Sequence, residues 1–281
     1  MKIFEADLRK EDMQGQVLEV GKTVIGMVTK CTKDIEALVD LGDGNKGICE
    51  ADEIEVLLGN KDKTKKIASL DRVGKYSYFK VIGLEDGTYK LSRKAVQEEY
   101  YNKEILGSEY NKVFDGRVLR IMNYGLFIDI GFGITGILGL SNFTQIKTVN
   151  PQESLKGIKQ VKVFVKELDG YKISLGHKEL LGDFKEQIKD FEVGGTYIGT
   201  IRSTNEYGIF VELASNLTGL ADKNESVQDG DIVSVYVKNI LYDEKRVKLR
   251  VVSVLDHKEP WYRELNLKYI DTKSIPRDWE F

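Results

Sequence analysis

The sequence predicts an all-β chain of three tandem five-stranded antiparallel barrels joined by short helices. The first observation is a repeat, because GRVLRIMNYGLFIDIG at 116–131 returns as GTIRSTNEYGIFVEL at 199–213. A third copy, GMVTKC at 26–31 and ALVDLG at 37–42, carries one extra residue between its two strands. The second observation is composition: 41% of the 281 residues are hydrophobic and 31% are charged, a soluble globular balance. Self-similarity at a fixed offset indicates repeated structural units.

Each copy continues with three further segments typical of strands. In the second copy these are GIL at 136–138, GIKQVKVFV at 157–165 and ISL at 173–175, and the other copies match them. Five short strands rich in β-branched residues, separated by Gly and Asp, are typical of a small closed barrel of the OB type. An immunoglobulin-like sandwich, with about seven strands per domain, fits poorly.

The segments between the repeats differ in composition. Residues 95–111 are rich in helix formers, and Asp183 is placed as an N-cap before the apolar series Phe184, Ile188 and Phe191. The tail holds five aromatics, which predicts that it packs on the third barrel. The predicted order is an N-terminal segment (1–19), a divergent barrel (20–94), a helical linker (95–111), a barrel (112–180), a short helical linker (181–190), a barrel (191–255) and an aromatic C-terminal extension (256–281).

The second copy places an aromatic side chain where a strand should face water. Alternate residues of a strand point to opposite faces, so an inward row of Leu126, Ile128 and Ile130 turns Phe127 and Asp129 outward. An outward Phe beside an outward acid is not core packing of that barrel.

The third copy follows the same alternation, with Phe210 and Glu212 outward and Tyr207 beside Gly208. Two explanations of the outward rings stay open. Either a neighbouring domain or loop buries them, or they form a platform on which nucleobases stack, at roughly 1–3 kcal/mol per base.

With these residues in view, the chain resembles the S1 RNA-binding domain family. The shared pattern is G-x-V-x-x-I-x-x-Y-G-x-F-V-x-L-G, then Gly-Leu, then a last strand ending in Leu-Ser-x-Lys, with copies at 20–94, 112–180 and 191–255. The whole is similar to the short three-domain ribosomal protein S1 homologues of Gram-positive bacteria. The resemblance implies OB-fold barrels that bind single-stranded RNA, here mRNA in translation.

The resemblance also implies roles for particular positions. One Tyr and one Phe per barrel would stack bases, and a basic residue before the last strand would add a contact. These residues are Tyr124, Phe127 and Lys172 in the second barrel and Tyr207, Phe210 and Arg246 in the third. The family's His after the Gly-Leu pair is replaced by Glu50, Gly139 and Asp222, and the two acids would repel phosphates.

The first copy departs furthest from the pattern. Ile35 and Leu38 replace the two rings, and Thr88 replaces the basic residue. An outward leucine without a stacking ring suits a protein partner better than a nucleobase. The N-terminal copies of the large ribosomal protein S1, after which the family is named, attach that protein to the ribosome. By analogy, residues 20–94 would bind the small ribosomal subunit or another protein. The alternative is that this barrel only stabilises its neighbour.

Charge ranks the barrels in the same order. The net charge of −3 argues against a general polyanion binder, but residues 112–180 hold ten Lys/Arg against six Asp/Glu. Residues 191–255 hold seven against nine. A local basic surface attracts phosphate, so Arg117 and Arg120 join the RNA-binding candidates. The basic loop Lys61–Lys66 is predicted to be solvated.

An enzyme is the competing class, and the sequence argues against it. The two His and two Cys have no metal-ligand spacing, and no phosphate loop or nucleophile elbow is present. We expect His177 on the surface and Cys31 and Cys49 as free thiols of a cytoplasmic protein. No stretch approaches the roughly 18 apolar residues of a membrane span. We therefore expect no catalytic residue, metal or cofactor, no membrane partner, and a monomer.

The predicted function is single-stranded RNA binding through tandem S1 domains, as a ribosomal protein S1-like factor in translation. The alternative is a non-ribosomal adaptor that tethers RNA to a decay, transcription or stress-response complex.

Overall fold

The computed structural model describes residues 2–32, 36–56, 71–144, 152, 155, 157–214 and 217–257. Among these residues, short β-branched segments separated by glycine turns form fifteen strands. The first five strands are β1 (Thr23–Cys31), β2 (Ala37–Gly42), β3 (Asn45–Cys49), β4 (Tyr76–Glu85) and β5 (Thr88–Ser92). The next five are β6 (Val113–Met122), β7 (Gly125–Asp129), β8 (Thr135–Gly139), β9 (Gln160–Asp169) and β10 (Lys172–Gly176). The last five are β11 (Thr196–Asn205), β12 (Gly208–Ala214), β13 (Leu217–Ala221), β14 (Ile232–Leu241) and β15 (Arg246–Asp256).

Each set of five closes into a barrel, so the predicted all-β fold of three OB-type barrels is confirmed. The strand order around each ring is first, second, third, fifth and fourth. The third and fifth strands pair in parallel in every barrel, whereas the other pairs of known direction are antiparallel. A ring with an odd number of strands cannot alternate direction throughout, so one parallel pair is needed for closure.

Short helices join the barrels, as predicted. Helix α1 (Arg93–Tyr100) begins behind Ser92, whose hydroxyl accepts a hydrogen bond from the backbone N–H of Ala95, and one π-helical turn (Tyr101–Ile105) follows it. Helix α2 (Leu140–Phe143) lies within the second barrel. Helix α3 (Phe184–Gln187) begins at the predicted N-cap, since the carboxylate of Asp183 accepts from the backbone N–H of Glu186. The remaining short turns are 3₁₀ helices at Glu5–Asp7, Lys10–Met13, Ala51–Glu53, Lys178–Leu181 and Ile188–Asp190.

The chain divides into two compact units. One comprises Met1–Lys112, Asp129–Gly136 and Val165–Ile173, and the other comprises the intervening residues and those from Ser174 onward. The segment Asp129–Gly136 therefore belongs to the unit that contains the first barrel. The third barrel has its own core, in which Ile188 from the linker packs with residues such as Ile209 and Val235.

Phe132 is the anchor of the segment Asp129–Gly136. Its ring lies 5.0 Å from the ring of Tyr78 and 4.9 Å from that of Tyr100, and its backbone N–H donates to the carbonyl of Ile3. Phe132 holds a φ of 51°, an uncommon conformation for a bulky residue. The packing of Phe132 with Tyr78, Val96 and Leu8 compensates for that conformation.

A buried guanidinium lies beside this anchor. Arg93 is fully buried, and its five N–H groups have five acceptors: both carboxylate oxygens of Glu5 at 2.9 Å, Glu55 at 2.7 Å, and the carbonyls of Ile54 at 3.1 Å and Phe132 at 3.3 Å. Burial lowers the pKa of Arg93, but the carboxylates of Glu5 and Glu55 outweigh it and hold the pKa above its ordinary value. Arg93 thus stays charged and joins the N-terminal segment, the first barrel and the segment around Phe132.

The two thiols are free, as predicted. Cys49 is buried in the core of the first barrel, and burial raises its pKa to about 12. A thiol with that pKa stays protonated at neutral pH and is a poor nucleophile.

Candidate nucleic-acid interface

The start of β7 presents two aromatic rings side by side. Leu126 and Ile128 are fully buried, whereas Phe127 between them is half-buried and Tyr124 is 58% exposed. The ring centroids of Tyr124 and Phe127 lie 6.3 Å apart with planes at 78°. The predicted alternation therefore holds for these residues, and the two rings form an accessible apolar surface of the kind on which bases stack.

A glycine after each tyrosine permits the close approach of two strands. A Cβ atom at Gly125 would lie 2.5 Å from the carbonyl oxygen of Leu138, and one at Gly208 would lie 2.4 Å from that of Ala221. Any side chain at these positions would push the third strand of the barrel away. The Tyr-Gly pair of the repeat thus fixes where the exposed tyrosine meets the sheet.

The third barrel repeats this arrangement. Tyr207 is 75% exposed and Phe210 is half-buried, while Ile209 and Val211 are fully buried. Across the sheet, Phe210 lies opposite Ser203 on β11 and Leu220 on β13. Leu220 is partly exposed and extends the apolar surface beside Phe210.

The predicted basic residues lie on strands of the same barrels. In the second barrel, Arg120 is exposed on β6 and Arg117, three residues earlier, is half-buried. Lys172 opens β10, is 83% exposed, and lies 3.8 Å from Asp169. In the third barrel, Arg246 opens β15 and pairs with Glu244 at 3.1 Å.

Both acids predicted to face water are in fact buried. Asp129 accepts a hydrogen bond from the backbone N–H of Gly131 at 2.8 Å, and burial raises its pKa to about 6. Glu212 forms an ion pair with Arg202. Arg202 is the extra residue of a bulge in β11, which turns its side chain toward Glu212. Neither carboxylate therefore presents charge to solvent beside the rings.

The expectation that His177 lies on the surface is wrong. Its side chain is fully buried, stacks on Phe143 with centroids 5.2 Å apart, and donates from Nδ1 to the carbonyl of Lys162 at 2.6 Å. This hydrogen bond fixes the tautomer of a core residue. A lone His after a strand carries no sequence signal for burial.

The first barrel has an aliphatic surface at the equivalent place. Leu38 on β2 lies opposite Ile48 on β3 and Lys30 on β1, and Ile48 lies opposite Lys90 on β5. A cavity of about 550 Å³ opens here and is lined by ten residues without an aromatic ring. These are Thr29, Leu38, Val39, Asp40, Gly44, Asn45, Lys46, Gly47, Ile48 and Thr88.

The family pattern did not indicate Lys90 as a basic residue of this surface. The pattern expects the basic residue at the position of Thr88, and Lys90 lies two positions later. It lies within ion-pair distance of two exposed carboxylates, 3.8 Å from Glu50 and 3.6 Å from Glu85. Three other predictions lie outside the described residues: the role of Ile35, the solvated loop Lys61–Lys66, and the packing of the aromatic extension beyond residue 257.

The described part of the chain has neither a metal-binding cluster nor a membrane-spanning helix. No group of three or more His, Cys, Asp or Glu side chains there could hold a metal ion. Within the same residues, every helix is too short or too polar to cross a bilayer.

Comparison with known families identifies the second barrel. Residues 109–178 match the model of the S1 RNA binding domain, so the resemblance predicted from the Tyr-Gly-x-Phe repeat is confirmed. The second barrel, with Tyr124 and Phe127, is an S1 RNA-binding domain.

The chain is also similar to curated proteins named small ribosomal subunit protein bS1. It is 28% identical over 264 residues to that of Rhizobium meliloti, covering 88% of this chain and 45% of the relative. It is 33% identical over 189 residues to that of Staphylococcus epidermidis, covering 61% and 48%. A bS1 homolog of Bacillus cereus is 28% identical over 263 residues, covering 87% and 66%. The chain thus spans about half the length of the first two relatives.

Proposed function

We propose that the chain binds single-stranded RNA on the exposed rings of its second and third barrels. The observation that carries this proposal is the pair Tyr124 and Phe127, with centroids 6.3 Å apart at the surface of the barrel that matches the S1 model. Because an aromatic ring can stack on any base, we expect binding to show little preference for RNA sequence. Tyr207 and Phe210 supply a second platform.

We expect the second barrel to bind RNA more tightly than the third because of its charge. Residues 112–180 carry a surplus of basic residues, and Arg117, Arg120 and Lys172 lie on strands of this barrel. These side chains would contact the phosphates of a strand whose bases stack on Tyr124 and Phe127. In the third barrel, Arg246 has the corresponding role.

The biological setting that fits the relatives is translation. Proteins named small ribosomal subunit protein bS1 resemble the chain over as much as 88% of its length. We therefore assign it to the cytoplasm as a monomer that binds mRNA and associates with the small ribosomal subunit. The first barrel is our candidate for that attachment, because Leu38 and Ile48 offer an aliphatic surface without a stacking ring.

Replacing Phe127 by Ala tests the RNA surface. We expect single-stranded RNA to bind roughly 1–3 kcal/mol more weakly, about fivefold to 150-fold, with little change in melting temperature. Fluorescence anisotropy with a labelled oligouridylate measures the affinity. Leu106→Ala, which truncates an exposed apolar side chain away from the two rings, serves as the control. Leu126→Ala should instead lower stability by about 2–5 kcal/mol, because Leu126 is fully buried. If Phe127→Ala unfolds the chain but leaves the affinity of folded molecules unchanged, the ring is structural.

Co-sedimentation tests the biological role. We expect the chain to sediment with small ribosomal subunits in a lysate and to remain with them after RNase digests exposed mRNA. A Leu38→Glu variant should be released, since a charge would enter the aliphatic surface. If RNase alone releases the wild-type chain, the association runs through RNA, and the non-ribosomal adaptor becomes the better description.

A further inference from the structure

The register of the third barrel places a cation directly beside its stacking platform. Phe210 on β12 lies opposite Leu220 on β13, and Leu220 lies opposite Lys248 on β15. Residues opposite one another share a face of the sheet. Lys248 is exposed on the face of Phe210, two residues beyond Arg246.

Strand β15 continues this line of positive charge. Exposed Arg246, Lys248 and Arg250 alternate with buried Val247 and Leu249, so the three basic side chains share the outer face. The two arginines are four positions apart, a distance of about 13 Å along the strand. We name Lys248 and Arg250 the β15 stripe.

The second barrel lacks this stripe. Its last strand, β10, has five residues, whereas β15 has eleven. Ser174 lies opposite Ile137 as Lys248 lies opposite Leu220, so a hydroxyl replaces the ammonium group. The stripe therefore distinguishes the third barrel from the second, although only the second has an overall surplus of basic residues.

An aromatic ring lies at the far end of the β15 stripe. Tyr236 on β14 is opposite Arg250, and the guanidinium carbon of Arg250 lies 5.5 Å from the centroid of the Tyr236 ring. The cation–π contact holds the guanidinium over the outer face of the barrel. Nearby acids have other partners, since Glu244 pairs with Arg246 and Asp222 pairs with Lys238.

We propose that the β15 stripe binds the sugar–phosphate backbone of single-stranded RNA leaving the Tyr207/Phe210 platform and leads it toward Tyr236. This proposal rests on the proposed RNA-binding function and extends it to residues beyond the base-stacking pair. Surfaces that hold single strands without sequence preference combine stacking rings with basic groups that follow the backbone. Phe210, Leu220, Lys248, Arg250 and Tyr236 supply both features in one path.

The test compares two full-length variants that each lose two positive charges. Lys248→Gln with Arg250→Gln removes the β15 stripe, and Lys185→Gln with Lys189→Gln removes two exposed lysines from the region of helix α3. Binding of a fluorescent 20-nucleotide oligouridylate is titrated over a series of salt concentrations. Each lost phosphate contact should lower the slope of log K against log salt by about 0.7, so the stripe variant should lose about 1.4. Its affinity at low salt should fall about fivefold or more, while the helix variant keeps the wild-type slope.

The outcomes separate the two proposals. If the wild-type chain binds the oligouridylate and Phe127→Ala weakens binding, but the stripe variant keeps the wild-type slope and affinity, the stripe is not a contact and only this inference fails. If the wild-type chain does not bind at all, the proposed function fails and this inference fails with it. A slope lowered equally in both variants would indicate a general charge effect and would also overturn the inference.

Discussion

Replacing Arg93 by Met is expected to destabilise the chain by about 3–5 kcal/mol, because it leaves buried carboxylates without their counter-ion. Glu5 is itself buried and accepts two hydrogen bonds from Arg93, and Glu55 accepts a third. Methionine keeps much of the side-chain volume, so the loss reports charge and hydrogen bonds rather than a cavity. Urea denaturation followed by circular dichroism measures the change.

A matched control lies next in the sequence. Lys94 is on the same helix, is partly exposed, and pairs with Glu98 at 3.9 Å, so Lys94→Met should change stability by less than about 0.5 kcal/mol. Adding Glu5→Gln to Arg93→Met should recover part of the loss, because one unpaired charge is removed. Equal effects of Arg93→Met and Lys94→Met would show that the buried cluster does not hold this unit together.

The repeat was sufficient to predict the barrels because each copy carries its own strand pattern. Period-two alternation correctly placed Leu126 and Ile128 inside and left Phe127 and Phe210 at the surface. The same rule failed for Asp129 and Glu212. Alternation determines the face of a strand that a side chain occupies, but another part of the chain decides whether that face is covered.

The buried contacts that the sequence did not reveal join distant residues. Glu5 and Arg93 are separated by 88 positions, and no local pattern marks either as buried. The burial of His177 likewise depends on Phe143 and on the carbonyl of Lys162. By contrast, Lys248 was accessible to sequence reasoning, since Val247-Lys-Leu249 alternates as a strand with its lysine outward. The family pattern directed attention to Arg246 instead.

Asp129→Asn is expected to stabilise the chain at pH 8 and to have little effect at pH 4. Burial raises the pKa of Asp129 from 3.8 to about 6, so the folded state holds its proton more tightly than the unfolded state. The protonated carboxyl group therefore favours the folded state. This contribution to the free energy of unfolding is fully present below about pH 4 and is lost as the pH rises through about 6. At pH 8 the ionised group costs about 3 kcal/mol relative to a neutral one, at 1.36 kcal/mol per pKa unit.

The groups around Asp129 set the size and direction of that effect. The charge of Glu5 also raises its pKa, whereas the backbone N–H of Gly131 and the guanidinium groups of Arg93 and Arg72 lower it. An asparagine oxygen can keep the hydrogen bond from Gly131, so the substitution removes the charge and preserves that contact. Thermal unfolding of the wild type and the variant between pH 4 and pH 8 gives the difference in stability at each pH.

Asp115→Asn provides the comparison, because Asp115 is exposed on β6 and pairs with Lys162. We expect this variant to show no gain in melting temperature between pH 4 and pH 8. An advantage of Asp129→Asn that grows between about pH 4 and pH 6 and then levels off would show that the folded chain carries the cost of a buried carboxylate at neutral pH. If Asp129→Asn is instead less stable than the wild type at pH 8, Arg93 and Arg72 hold Asp129 ionised and its charge contributes to the stability of the fold.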